Sequence, residues 1–235
     1  MERKKIVVLT GAGMSAESGI STFRDNGGLW DRYNVEDVAT PEGWMRNPHL
    51  VTDFYNQRRV ELLKAEPCLG HRLLAVLEHY HDVRVITQNV DDLHERAGST
   101  QVLHLHGELM KMTSTNAPND PTQILTLPTS SPIVPHGELA RDGSLLRPFI
   151  VWFGEAVPLI EEAASLCMEA DIMLVIGTSL NVYPAAGLTQ YVPQNCSVWL
   201  IDPKPVTWNA SSSFRHLKMG ASRGMLEFME HLLAE

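Results

Sequence analysis

The sequence predicts an α/β fold: a doubly wound parallel sheet with a small second lobe built from two insertions. Two observations carry this. Short apolar runs recur along the 235 residues, each ending in small or polar residues, and helical stretches separate several of them. Runs of four to six apolar or β-branched residues suit strands buried on both faces, and strands alternating with helices give this architecture.

The strand runs are Ile6–Leu9, Val83–Ile86, Val102–Leu105, Ile172–Ile176 and Val198–Ile201. Helices are expected at Leu69–Tyr80 and at Pro158–Glu169, the latter with Pro at a first-turn position followed by Glu161 and Glu162. Another precedes them around Val51–Leu63, and a last amphipathic one carries Met225, Leu226, Met229, Leu232 and Leu233. Residues 31–67 and 111–147 break the alternation; the second segment holds Pro118, Pro121, Pro128, Pro132 and Pro135 and shows no clear periodicity. Loops beyond about 12–15 residues are uncommon in compact domains. Both segments are therefore expected to form the small lobe, leaving 1–30, 68–110 and 148–235 to the sheet domain.

Composition excludes several classes. With 44% hydrophobic residues the chain can build a sizeable core, and 19 Lys and Arg against 28 Asp and Glu leave a net charge of −9. That balance, with no basic patch beyond Arg3-Lys4-Lys5, argues against nucleic-acid binding. The apolar run Ile6–Leu9 meets Thr10-Gly11 at once, too short for a signal peptide or a membrane span. Three dispersed cysteines, Cys68, Cys167 and Cys196, supply no disulfide framework. A cytoplasmic protein with reduced thiols is expected, and a monomer is compatible with this composition.

Ligands of doubly wound sheets bind beyond the carboxyl ends of the strands, where the polar clusters of this chain fall. The first cluster, Gly11-Ala12-Gly13-Met14-Ser15-Ala16, fits GxGxx(G/A): a tight turn, a close backbone approach and helix N–H groups facing a phosphate. A plain structural turn fits the same six residues. An ordinary Rossmann unit places its second strand about 20 residues on; here the next strand run is Val83–Ile86, so the first crossover is expanded.

The continuation is more specific. GAGMSAESGISTFRDNGGLW at Gly11–Trp30 is followed by TQNVD (Thr87–Asp91), LHLHGE (Leu103–Glu108), RPFIVWFGE (Arg147–Glu155), GTSLNVYPAAG (Gly177–Gly187) and IDPKP (Ile201–Pro205). In this order the motifs closely resemble the sirtuin family of NAD-dependent protein-lysine deacylases, from about Ile6 to Gly220-Ala221-Ser222. The resemblance implies a Rossmann-like domain with a small lobe over a cleft for NAD and acyl-lysine peptides. In sirtuin chemistry the acyl oxygen of the substrate attacks the nicotinamide ribose, nicotinamide leaves, and a base then deprotonates a ribose hydroxyl. The resemblance makes His106 that base, for which imidazole is suited near neutral pH. Asn89, Asp91 and Gln88 would contact the nicotinamide and its ribose. Gly11, Ala12, Gly13 and Ala16, Phe23 and Arg24, Gly177, Thr178 and Ser179, Asp202, Pro203 and Lys204, and Ala221 would hold the rest of NAD. Many relatives have Asn where Asp202 stands. Val151, Trp152, Phe153 and Gly154 would form an extended edge to which the substrate peptide adds as a strand; a buried core strand is the competing reading. His104, His106 and Glu108 alternate on one strand face, a conceivable but incomplete metal site.

At 100° per residue Val51, Phe54, Tyr55, Arg58 and Leu62 fall on one helical stripe. A guanidinium there must snorkel, pair internally or await an anion. Tyr55-Asn56-Gln57-Arg58 resembles the YxxR pair of class III sirtuins, which binds the carboxylate of succinyl- or malonyl-lysine, with a small residue, here Ala39, widening the pocket. Desuccinylase and demalonylase activity beside deacetylation is the resulting expectation. Sirtuins typically carry two CxxC pairs that hold a structural zinc in the small lobe; residues 111–147 contain no cysteine and one histidine, His136, so no zinc is expected. An ADP-ribosyltransferase on the same scaffold and a silent NAD-binding module are the alternatives. Retention of His106 speaks against the first, and intact Asn89, Asp91 and His106 against the second.

Overall fold

The computed structural model describes residues 3–20, 32–178, 180, 182–205 and 213–234. Six strands form one sheet in the order β3 (Val102–His104), β2 (Asp82–Thr87), β1 (Lys5–Thr10), β7 (Ile172–Ile176), β8 (Ser197–Ile201) and β9 (Phe214–Leu217). Every pairing in it is parallel. The strand order reverses between β1 and β7, which opens a crevice at their carboxyl ends.

Alternation along each strand feeds two cores. Ile6 and Val8, with Val83, Val85, Leu174 and Ile176, face α5 (Leu69–Leu77) and α8 (Ala221–Ala234), whose Leu74, Met225, Phe228 and Leu232 fill that side. Val7 and Leu9, with Ile86, Met173, Val175 and Leu200, face α7 (Ile160–Cys167) and the 3-10 turns at Ala185–Gln190. Residues apolar on both faces are what a sheet covered on both sides requires. Leu226 and Leu233 lie outside the core, 44% and 70% exposed, because only the stripe facing the sheet is covered.

A second sheet, antiparallel, has the order β5 (Leu125–Thr126), β4 (Gly107–Ser114), β6 (Leu146–Ile150). Two short helices, α2 (Val35–Val38) and α3 (Pro41–Arg46), and the longer α4 (Pro48–Leu62) pack near it. Val51, Phe54, Tyr55 and Leu62 of α4 meet Leu109, Met110 and Ile150 in a third core. Met112, Val134, Ala140 and Leu146 make a fourth, smaller one. Thus 111–147 is not free of strands: it contains the end of β4, β5 and the start of β6. Lys111, Arg147 and Pro148 interrupt the alternation that would have marked them.

Four local expectations are corrected. The helix α7 starts at Ile160, with Leu159 as its N-cap, so Pro158 precedes the first turn. The glycine turn opens only a four-residue helix, α1 (Ala12–Ser15), which tightens into a 3-10 turn ending at Gly19 in a left-handed conformation (φ 82°). His104 and His106 do not share a strand face: β3 ends at His104 and the chain turns before β4 begins at Gly107 (φ 79°). Val151–Gly154 is neither an edge strand nor a core strand. The ladder stops at Ile150, after which Val151 N donates to His106 O at 3.0 Å and Phe153 N to Ala39 O at 3.0 Å.

Candidate active site

A cavity of about 780 Å³ lies at the carboxyl ends of the parallel strands, within the usual range for a small-molecule site. Gly11, Ala12, Gly13 and Ala16, Gln88, Asn89 and Asp91, His106, Gly177 and Thr178, Asp202, Pro203 and Lys204, and Ala221 all line it. So do Ala39, Tyr55, Arg58, Val151, Trp152, Phe153 and Gly154. Phe23, Arg24 and Ser179 lie outside the described residues.

The floor is built by the β1 turn. Gly11 N donates to Ile176 O and Gly13 N to Gly177 O, so the turns after β1 and β7 are bonded directly. A Cβ on Gly13 would sit 2.7 Å from Gly177 Cα, and Gly177 itself has φ 63°; only glycine allows this approach.

The turn after β2 supplies the polar groups. Asn89 Nδ2 donates to Gly11 O (3.0 Å) and to Ser15 Oγ (3.1 Å), and Ser15 Oγ donates to Asp91 Oδ2 (2.9 Å). With both amide hydrogens used, the Asn89 carbonyl oxygen is left to accept from a ligand hydroxyl. Asp91 Oδ1 accepts from Leu93 N at 3.2 Å, and burial raises the carboxyl pKa above its ordinary value. Ser15 escaped the sequence reading, although the glycine motif itself contains it.

His106 Nδ1 lies 3.1 Å from Gln88 O. A carbonyl only accepts, so Nδ1 carries the hydrogen and Nε2 keeps its lone pair. Burial lowers this imidazole's pKa, with the Gln88 carbonyl opposing. The residue is poised as a neutral base. Gln88 Nε2 donates to Thr178 Oγ1 at 3.3 Å, tying the turns after β2 and β7 together.

The opposite wall is α4. Tyr55 is 1% exposed, and its hydroxyl accepts from Trp152 Nε1 at 3.0 Å, which leaves the phenolic proton to donate elsewhere. Arg58 is half-buried, its guanidinium 5.8 Å and 5.9 Å from the Phe54 and Tyr55 rings. Burial lowers its pKa, with Tyr55 and Asp91 opposing. Trp152 is fixed in turn by Arg147, which stacks 3.5 Å from its ring centroid and pairs with Glu155 at 2.7 Å. These two residues also went unread, since their pairing depends on the turn after β6.

At the far end, Asp202 Oδ1 accepts from Lys204 N at 2.8 Å, closing the turn after β8. No group of three or more metal-ligating side chains occurs among the described residues.

This arrangement coincides with a known one. The profile of the Sir2 family matches residues 11–184. The chain belongs to the Sir2 family, the sirtuins. An NAD-dependent protein deacylase of Bacteroides thetaiotaomicron is 60% identical to this sirtuin over 98% of both chains. One of Helicobacter pylori is 47% identical over 98% of both. Among solved structures, a Sir2 homologue in complex with NAD superposes with a TM-score of 0.86 at 38% identity, covering 98% of the sirtuin and 90% of that chain. A Sir2 complex with 2′-O-acetyl-ADP-ribose and a deacetylated p53 peptide has a TM-score of 0.75 at 30% identity, covering 98% and 94%.

Proposed function

We infer that this sirtuin removes succinyl and malonyl groups, as well as acetyl groups, from the lysine side chains of proteins and peptides. The class of activity follows from the family and from relatives up to 60% identical: the chain is an NAD-dependent protein-lysine deacylase, with NAD as its cosubstrate. The finer reading is supported by one observation. Tyr55 and Arg58 line the same cavity as His106 and the glycine turn. A guanidinium fork and a phenolic donor side by side suit a carboxylate at the end of an acyl chain.

The cavity's donor set fits NAD. The glycine turns bring backbone close to a pyrophosphate, and the Asn89 carbonyl oxygen offers an acceptor to a ribose hydroxyl. Bound NAD supplies the ribose carbon that receives the acyl group. His106 Nε2 takes the proton of a hydroxyl presented to it, while Gln88 O holds the ring in the tautomer that leaves Nε2 bare. Asp91, held by Ser15 and Leu93 N, keeps a carboxylate at the buried end of the cavity.

Replacing Arg58 with methionine is the test. Turnover of a succinyl-peptide is expected to fall about 100-fold, the size of losing a charge-assisted pair, with acetyl-peptide turnover changed little. Equal losses on both peptides would remove the assignment. Mass spectrometry of the products also separates the activities: acyl-ADP-ribose marks deacylation, and ADP-ribosylated protein marks the transferase alternative.

The same reading has residues 31–67 and 111–147 forming a lobe without zinc. In its support, the second segment lacks cysteine, and its one histidine, His136, bonds Asp53 at 2.8 Å. Met112, Val134, Ala140 and Leu146 give this segment an apolar core of its own. Elemental analysis of the purified protein should find no stoichiometric zinc; one tightly held zinc per chain contradicts this. We assign the enzyme to the cytoplasm. Cys68, Cys167 and Cys196 are all free thiols, the state that a reducing compartment maintains.

A further inference from the structure

Two histidines flank Leu105, and their hydrogen bonds make them chemically unlike. His106 has one acceptor beside Nδ1 and is a neutral base, as argued above. His104 has acceptors beside both nitrogens: Asn89 O lies 3.2 Å from Nδ1, and Glu95 Oε1 lies 2.7 Å from Nε2. The carbonyl can only accept, so Nδ1 carries a hydrogen. A bare Nε2 facing an ionised carboxylate at 2.7 Å would set two lone pairs against each other, so a second proton lies between them. Given ordinary pKa values of about 6.5 for imidazole and about 4.3 for a Glu carboxyl, it resides on the ring. His104 is therefore an imidazolium, its side chain 8% exposed, against the backbone of the residue that opens the Asn89–Asp91 turn.

We propose that His104, paired with Glu95 of α6 (Leu93–Ala97), is a positioning residue: it holds a fixed positive charge behind the Asn89–Asp91 turn and thereby sets the affinity for NAD. His104 does not line the cavity; it acts through Asn89, whose backbone carbonyl it grips, and through its field on Asp91. The proposal rests on reading Asn89 and Asp91 as the contacts of the NAD ribose and nicotinamide. Around the ring, Glu95 and His94 approach from α6, Asp91 from the turn after β2, and Glu108 with its partner Lys111 from β4. Burial works against the charge on His104, but the bond to Glu95 and the charges of Glu95 and Glu108 outweigh it, so its pKa is raised. Burial also disfavours the carboxylate of Asp91, and His104 counters that.

The test begins without cofactor. In protein labelled with ¹⁵N-histidine at pH 7.5, both ring nitrogens of His104 should resonate as N–H, and those of His106 as a neutral tautomer. A neutral His104 in the wild-type spectrum overturns the proposal, whatever any variant does. In Glu95→Gln, His104 should become neutral, and the Kd for NAD at pH 7.5 should rise about tenfold, the effect of losing one charge-assisted hydrogen bond. His104→Gln should rise equally. Wild-type affinity should weaken as pH rises through the titration of His104, and that slope should vanish in both variants. Unchanged NAD affinity in Glu95→Gln overturns the positioning role, as does a lowered Tm with the pH slope intact. Wild-type protein that binds no NAD would instead refute the reading of the cavity, leaving the ¹⁵N result standing on its own.

Discussion

Replacing His106 with alanine is expected to lower kcat/KM for deacylation by about 100- to 10,000-fold, the range for loss of a positioned base. Nε2 is the bare nitrogen of a ring whose other nitrogen is committed to Gln88 O, and no other imidazole lines the cavity among the described residues. The measurement is the rate of product formation at acetyl-peptide concentrations well below KM, with NAD saturating. An alanine variant that retains most of the wild-type rate would show that the base lies elsewhere. The sign of the pH dependence follows from the same environment. Burial lowers the His106 pKa, so the neutral, active form persists to more acid pH than a free imidazole would allow. The acid limb of the kcat/KM profile should thus fall below about pH 6.5, and a limb well above it would contradict the assignment.

Asn56→Ala should destabilise the protein by about 3–5 kcal/mol, since one truncation strands three buried groups. Asn56 Nδ2 donates to Val134 O at 2.9 Å, while its Oδ1 accepts from Val134 N at 3.0 Å and from Arg59 Nη1 at 2.8 Å. Arg59 is wholly buried and its Nε donates to Leu109 O at 2.8 Å. Burial drives its guanidinium pKa down to about 10, a cation held by carbonyls rather than by a carboxylate. This clasp joins α4 to β4 and to the segment before β6. Thermal unfolding should show the Tm lowered by about 10 °C; a shift under two degrees would mean the clasp carries little of the lobe's stability.

Much of the fold could be read directly because strands buried on both faces are apolar at every position. Ile6–Leu9 and Ile172–Ile176 are examples, each residue feeding one core or the other. The edge strand β9, with Arg215 and His216 among four residues, carries no such signature. Nor does β6, where Arg147 and Pro148 interrupt an apolar run. Residues of the glycine turn and of the TQNVD and LHLHGE runs meet at one cavity because each run directly follows or ends a strand of the parallel sheet. Arg59 carries no such local mark. Counting at 100° per residue places Arg58 on the apolar stripe, but the burial of Arg59 comes from Leu109 and Met112, some 50 residues away. The Arg147–Glu155 pair under Trp152 likewise exists only once the chain has turned after β6.

The run Tyr55-Asn56-Gln57-Arg58-Arg59 occupies little more than one turn of α4. Tyr55 and Arg58 look into the cavity, and Asn56 and Arg59 into the seam with β4 and Val134. If Tyr55 and Arg58 read the acyl chain as proposed, point changes at 55 or 58 should shift acyl preference while the seam stays closed. A one-residue insertion upstream in α4 would do neither job. It would rotate everything beyond it by about 100°, turning Tyr55 and Arg58 into the seam that Asn56 and Arg59 now fill, and turning the clasp out to the exposed positions of Gln57 and Val60. Libraries meant to diversify acyl preference should vary side chains on this turn and keep its length constant.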